Sequence, residues 1–361
     1  MQVLIMFCLR SLLLIFLLSV AELFGLAIET FYGTMEVSEP VLIELIHCPA
    51  MQRLKHVYQY GVSYYTTTHK EEYTRFDHSL GVFAILRAKN ASLEEQITGL
   101  LHDVSHTAFS HVADWVYNKE NQEDDYQSSI YNLYLTHSGI EEILNRHGYE
   151  VEQVSTDRED FLMLEQSLPD LCADRIDYNI QGAYFAKFLT KEEAQKLFLD
   201  ICFEDKKWIL TNQELATRLA YFTLFMTENC WGSAKNFITS RWLADALLKA
   251  FEKKIIAEDE FHFGTDQLIW ERLVSAKEPF IENQMRMLQS PDSHYRLVDP
   301  EKANFFIKFK SRGIDPWIKK NGKIVRLTSL NSALSQDLQK TKERSIVGWP
   351  VEILQSDKPS M

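Results

Sequence analysis

Four of the chain's eleven histidines, His78, His102, His106 and His111, fall between residues 75 and 111, and no other stretch constrains the chain as strongly. The first group reads Arg75-Phe76-Asp77-His78-Ser79-Leu80-Gly81. The second reads Leu101-His102-Asp103-Val104-Ser105-His106-Thr107-Ala108-Phe109-Ser110-His111. A single histidine is usually ordinary helix surface or core, whereas four flanking an aspartate mark a site. Leu93, Ile97, Leu100 and Leu101 recur at helical spacing ahead of the second group. Continued as helix, this stretch puts His102 and His106 on one face with Asp103 beside them. Histidines with carboxylates form a mixed nitrogen and oxygen ligand set that suits Fe, Mn, Zn or Mg.

A third group lies at Cys172-Ala173-Asp174-Arg175-Ile176-Asp177-Tyr178. Asp174, Asp177 and Tyr178 share one helix face at i, i+3 and i+4. Two carboxylates on a buried face are costly without a cation, so at least one should meet a metal or an arginine.

The rest of the first 260 residues reads mostly as helix. Pro40 suits a first helical turn ahead of Val41, Leu42, Leu45 and Ile46. Pro49 opens a helix through Met51, Leu54, Val57 and Tyr58, with Gln52, Arg53 and Lys55 between them, and Gly61 ends it. Tyr64 to Thr68 reads as a short strand or loop, 118 to 126 as a polar loop, and 140 to 150 as a short helix. Tyr221, Phe222, Phe225 and Trp231 read as core. Beyond about 262 the pattern changes: Phe305–Phe309 and Lys323–Leu327 read as strands, and Asn321-Gly322 is a hairpin turn signal.

A His, then His-Asp, then a distant Asp resembles the HD-domain metal-dependent phosphohydrolase superfamily. The longer strings around His78 and His102 resemble the HD-domain deoxynucleoside triphosphate triphosphohydrolases, over roughly residues 30 to 245. The resemblance implies a mainly α fold with an HD helical core over 30–260, followed by a small α+β appendage over 261–361. It implies that His78, His102, Asp103 and Asp174 ligate one divalent ion (Fe, Mn, Zn or Mg), with Asp177 behind them. It implies that Gln59, Arg75, Arg175 and Tyr178 contact a nucleotide substrate, and that His106 and His111 move protons. Where that family has a His-Glu pair, this chain aligns Asp125 and Tyr126, which hands an acid role to Asp125. The chain also has Tyr60 in place of a small aliphatic residue and Gly182 in place of a sugar-binding aspartate. A homo-oligomer is the family's usual assembly. Another HD-type phosphomonoesterase or phosphodiesterase, and a non-catalytic nucleotide- or nucleic-acid-binding relative, are the alternatives.

Charge narrows the partners. A net charge of −13 argues against a broad nucleic-acid surface, although a site can be locally basic inside an acidic protein. The five cysteines show no Cys-x-x-Cys pair and read as buried small hydrophobes. Residues 1–27 are an apolar leader, with Leu12–Leu18 uninterrupted after Arg10 and small residues at Ser19 and Ala21, which reads as a secretory signal. On that reading the protein is secreted or periplasmic; with the leader uncleaved it is cytoplasmic or membrane-anchored.

Overall fold

The computed structural model describes residues 25–67, 72–117 and 125–354. It is mainly α, with a small α+β C-terminal part. The expected leader lies outside the described residues up to residue 24. Its last two residues, Leu26 and Ala27, instead open a hairpin in which Leu26–Thr30 pairs with Gly33–Val37. Among the described residues no helix is long and apolar enough to cross a membrane.

Three helices hold the core together. Arg75–Ala88 packs on Leu93–Leu101 and on Ala173–Phe185. Each starts where local chemistry dictates. Thr74 and Asp77 form a capping box at the first, and Ser92 accepts the Glu95 amide at the second. Ala173–Phe185 packs in turn on Gln213–Met226. Ala234–Glu252 packs on Pro279–Gln289 and Val112–Tyr117, and the core those helices share runs without interruption across residue 261.

Several local expectations are corrected. The Pro49 helix is short, covering Pro49–Arg53, and gives way to a 3-10 turn at Leu54–His56. Ser63–Thr66 is helical, not extended; Tyr64 stacks on Tyr58 and Tyr65 on Trp270. Residues 202–210 carry an unforeseen hairpin, Cys202–Glu204 with Lys207–Leu210. That second strand also pairs in parallel with Trp317–Lys320, which turns through Asn321 and Gly322, both at positive φ, into Lys323–Arg326. A third sheet joins Tyr295–Leu297, Trp349–Ile353 and Phe305–Ile307, and rests on Ala234 and Ile238.

Candidate active site

His78 sits one turn into the Arg75–Ala88 helix and is buried. Its Nδ1 lies 2.7 Å from Asp177 Oδ2. Asp177 is fully buried and also accepts from Tyr32 Oη at 2.9 Å, Tyr73 Oη at 3.1 Å and Gln181 Nε2 at 3.0 Å. With Asp177 accepting from these donors, His78 Nδ1 is the nitrogen that gives it a proton, and Nε2 is the one turned toward the site. His102 follows the same logic. It caps the Leu93–Leu101 helix, and its Nδ1 donates to Gly99 O at 2.8 Å, leaving Nε2 as an acceptor.

The two Nε2 atoms face each other at 3.2 Å. Asp174 Oδ1 is 2.9 Å from His78 Nε2 and 3.5 Å from His102 Nε2; Asp103 lies 3.6 Å and 3.5 Å from the same two atoms. Two imidazole nitrogens and two carboxylates thus converge on one point, an arrangement that a shared proton or a metal cation relieves. Without an ion, a proton fills this space: burial alone would lower the His78 imidazole, but hydrogen bonds to Asp174 and Asp177 outweigh it and push it up to about 10, and a divalent ion would displace that proton from Nε2. Burial alone would raise Asp103, but Arg75, His102 and His106 hold it well below the usual carboxylate range. The donor set therefore fits a divalent ion.

The helix expected to carry His102 and His106 on one face stops at Leu101. Residues 102–111 form a chain of turns in which Phe109 and Ser110 adopt positive φ. Asp103, not His102, therefore meets His106, with Oδ1 at 3.3 Å from Nε2. Arg53 is buried and donates to the carbonyls of Val104 at 3.0 Å and His106 at 2.6 Å, holding this turn in place. Burial and the Arg75 charge push the His106 imidazole down to about 4 despite Asp103. Its Nδ1 is buried without a partner among the described residues. His111 is half exposed, 3.2 Å from Asp114 and 3.9 Å from Asp125. Asp125 caps the Tyr126–His137 helix, and residues 118–124 of the expected polar loop lie outside the described residues.

A cleft of about 910 Å³ opens over these groups. Gln59, Arg75, His102, Asp103, His106, His111, Asp125, Asp174 and Tyr178 line it, and His78 lies behind them. Arg75 lines the cleft with its guanidinium anchored to Asp103, at 2.7 Å, and to Ser110 Oγ, at 3.0 Å. One assignment needs revision. Arg175 does not line the cleft: its guanidinium donates to the carbonyls of Gln166 and Asp170 and pairs with Glu165 at 3.3 Å, satisfying two buried loop acceptors. Trp231 and Phe225, read as core, line the cleft instead, with Trp231 packed edge-on to Tyr178 at 5.4 Å. Tyr60 and Gly182, the two departures from the resembled pattern, are neighbours: a Cβ on Gly182 would lie 2.9 Å from the Tyr60 hydroxyl. Lys308, Lys310 and Arg312 also line the cleft; their alternation with Ile307 and Phe309 was the only sequence signal for them.

No protein-family model matches the chain. It is 32% identical over 320 residues to the uncharacterized protein YdhJ of Bacillus subtilis, covering 86% of this chain and 96% of YdhJ. It is 38% identical over 169 residues to the metal-dependent phosphohydrolase cns2 of Cordyceps militaris, covering 47% of this chain and 48% of cns2. It is 27% identical over 141 residues to the deoxynucleoside triphosphate triphosphohydrolase SAMHD1 of Xenopus laevis, covering 33% of this chain and 22% of that protein. The chain thus spans about half, or less, of these named hydrolases. A phosphohydrolase of Bacteroides thetaiotaomicron superimposes with a TM-score of 0.63 at 14% identity, over 92% of this chain and all of that one. A hypothetical protein of Aquifex aeolicus does so at 0.59 and 19% identity, over 89% and 99%. At such identities these two likenesses speak to the fold alone.

Proposed function

We propose that this chain, similar over most of its length to YdhJ of Bacillus subtilis and over shorter stretches to named phosphohydrolases, is an HD-type metal-dependent phosphohydrolase that hydrolyses a deoxynucleoside triphosphate to the deoxynucleoside and tripolyphosphate. The observation that carries the reading is the convergence of His78, His102, Asp103 and Asp174 at the floor of a cleft large enough for a nucleotide. A divalent ion held there polarises a phosphoryl oxygen and acidifies water.

The protein's own groups do the rest. Asp177 fixes the tautomer and the plane of His78. Arg75 holds Asp103 ionised and aimed at the site. His106, a neutral imidazole 3.3 Å from Asp103 Oδ1, is assigned proton transfer or phosphate contact beside the cation site. His111, steered by Asp114 and Asp125 at the cleft's mouth, is placed to return a proton to the leaving oxygen. Gln59 and Tyr178 form part of the wall against which the nucleoside packs.

Chromatography of the products decides it. With a divalent ion present, dGTP or another dNTP should yield deoxynucleoside and tripolyphosphate in equal amounts, and His106→Ala should slow turnover while keeping the metal. A monophosphate with pyrophosphate, or a diphosphate with orthophosphate, would refute the assignment. One observation favours a second reading, an HD-type phosphomonoesterase or phosphodiesterase. The Tyr60 hydroxyl occupies the space beside Gly182, where the resembled family places its sugar-binding aspartate.

A further inference from the structure

Of the two arginines read from the motifs, Arg175 lies outside the cleft lining and Arg75 is anchored on Asp103 and Ser110, so a phosphate chain calls for further cations. It has them in the C-terminal region. Lys308, Lys310 and Arg312 line the cleft, and none makes an ion pair with a described residue. The remaining lysine of the lining, Lys235, pairs with Asp292 at 3.0 Å. In a chain of net charge −13, three unpaired cations within five residues on one wall are unlike the rest of the molecule.

The segment is built to hold that position. Ile307 is buried against Ala234 and Ile238, and Phe309 stacks on Trp349 with ring centroids 5.7 Å apart. Trp349 Nε1 donates to Gly232 O at 2.7 Å, and the Phe309 amide donates to Ser345 O at 3.3 Å. The apolar side chains pin the backbone, and the basic ones alternate with them. Arg312 is half-buried and close enough to Tyr178 for its charge to act on that phenol.

We propose that Lys308, Lys310 and Arg312 form the phosphate-chain subsite of the cleft, so that the C-terminal region completes the active site by binding the substrate phosphates that do not meet the metal set. The inference rests on the phosphohydrolase reading. It recognises a linear polyphosphate, free or attached to a nucleoside.

The test uses the full-length, metal-loaded protein and inorganic tripolyphosphate, followed by titration calorimetry. Wild type should bind tripolyphosphate more tightly than orthophosphate. K308Q/K310Q should weaken tripolyphosphate about tenfold, and adding R312Q should weaken it further, with orthophosphate unchanged. Lys308 and Lys310 are exposed, so the double variant keeps its fold, checked by an unchanged melt and metal content. Equal tripolyphosphate affinity in wild type and both variants, no binding by wild type, or equal affinity for orthophosphate and tripolyphosphate would each overturn the proposal. Tripolyphosphate binding that depends on these cations, in a protein that turns over no dNTP, would sustain the subsite and sink the triphosphohydrolase reading.

Discussion

Gly81 stands one turn after His78 on the same helix, and a Cβ there would lie 1.9 Å from Asp177 Oδ1 and 2.6 Å from Gln181 Nε2. The Ser-Leu-Gly of the motif thus has a physical reason: only a residue without a side chain lets the Asp177 carboxylate reach His78 Nδ1. Alanine is the better helix former, so any loss in Gly81→Ala comes from the displaced carboxylate and not from helix propensity. We expect this variant to stay folded and to bind its divalent ion ~10–100-fold more weakly, as when the group orienting a metal-bound histidine is removed. Competition with a chelating dye measures it, and wild-type affinity would show that Asp177 does not orient His78. The four residues around the cation site were legible because they lie in short, distinctive strings. The direction of Arg175 was not, because loop carbonyls brought near by the fold outcompeted the cleft for its donors.

At the scale of elements, the turn chain 102–111 is what sequence periodicity misread. Its non-helical path is imposed from outside, by Arg53 on two of its carbonyls and by Asp266 on the Phe109 amide at 2.7 Å. Asp266 opens the Asp266–Ser275 helix and also accepts the Tyr58 amide at 2.9 Å, so it ties together two segments that line the cleft. Burial pushes its carboxyl from 3.8 up to about 7, against the pull of those two amides. A native pKa above the unfolded one means the native state holds the proton more strongly. Its contribution is therefore complete below about pH 4 and is lost as pH rises through about 7. Asp266→Asn cannot titrate. The stability of wild type relative to this variant should therefore fall across that window, by at most about 1.4 kcal/mol per pH unit. Urea unfolding at several pH values checks this, and parallel pH profiles for the two proteins would rule it out.

At the scale of the whole molecule, the C-terminal region is woven into the helical part. Trp317–Lys320 extends the sheet begun by Cys202–Glu204 and Lys207–Leu210, and Ile318, Leu327 and Leu334 share one core with Ile176 and Leu210. Trp317 Nε1 donates to Asp170 at 2.8 Å, and Arg326 pairs with the same carboxylate. A chain ended at residue 261 would leave that sheet edge and core face open, so we expect it to lose cooperative thermal unfolding, while a chain ended at 354 retains it. A cooperative melt of the shorter chain, with metal bound, would contradict this. Residue order alone determined the mainly α class and the helices that carry His78 and Asp174; the gathering of two histidines and two aspartates was legible only through the resemblance their strings carry. Capping and periodicity act over a few residues and need no distant partner. Tertiary structure alone decided that residues 102–111 leave the helix, that Arg175 turns away from the cleft, and that part of the cleft lining comes from residues some 130 positions downstream of the last motif. Those outcomes rest on competition among buried donors, acceptors and strand edges, which exists only once the chain has brought them together.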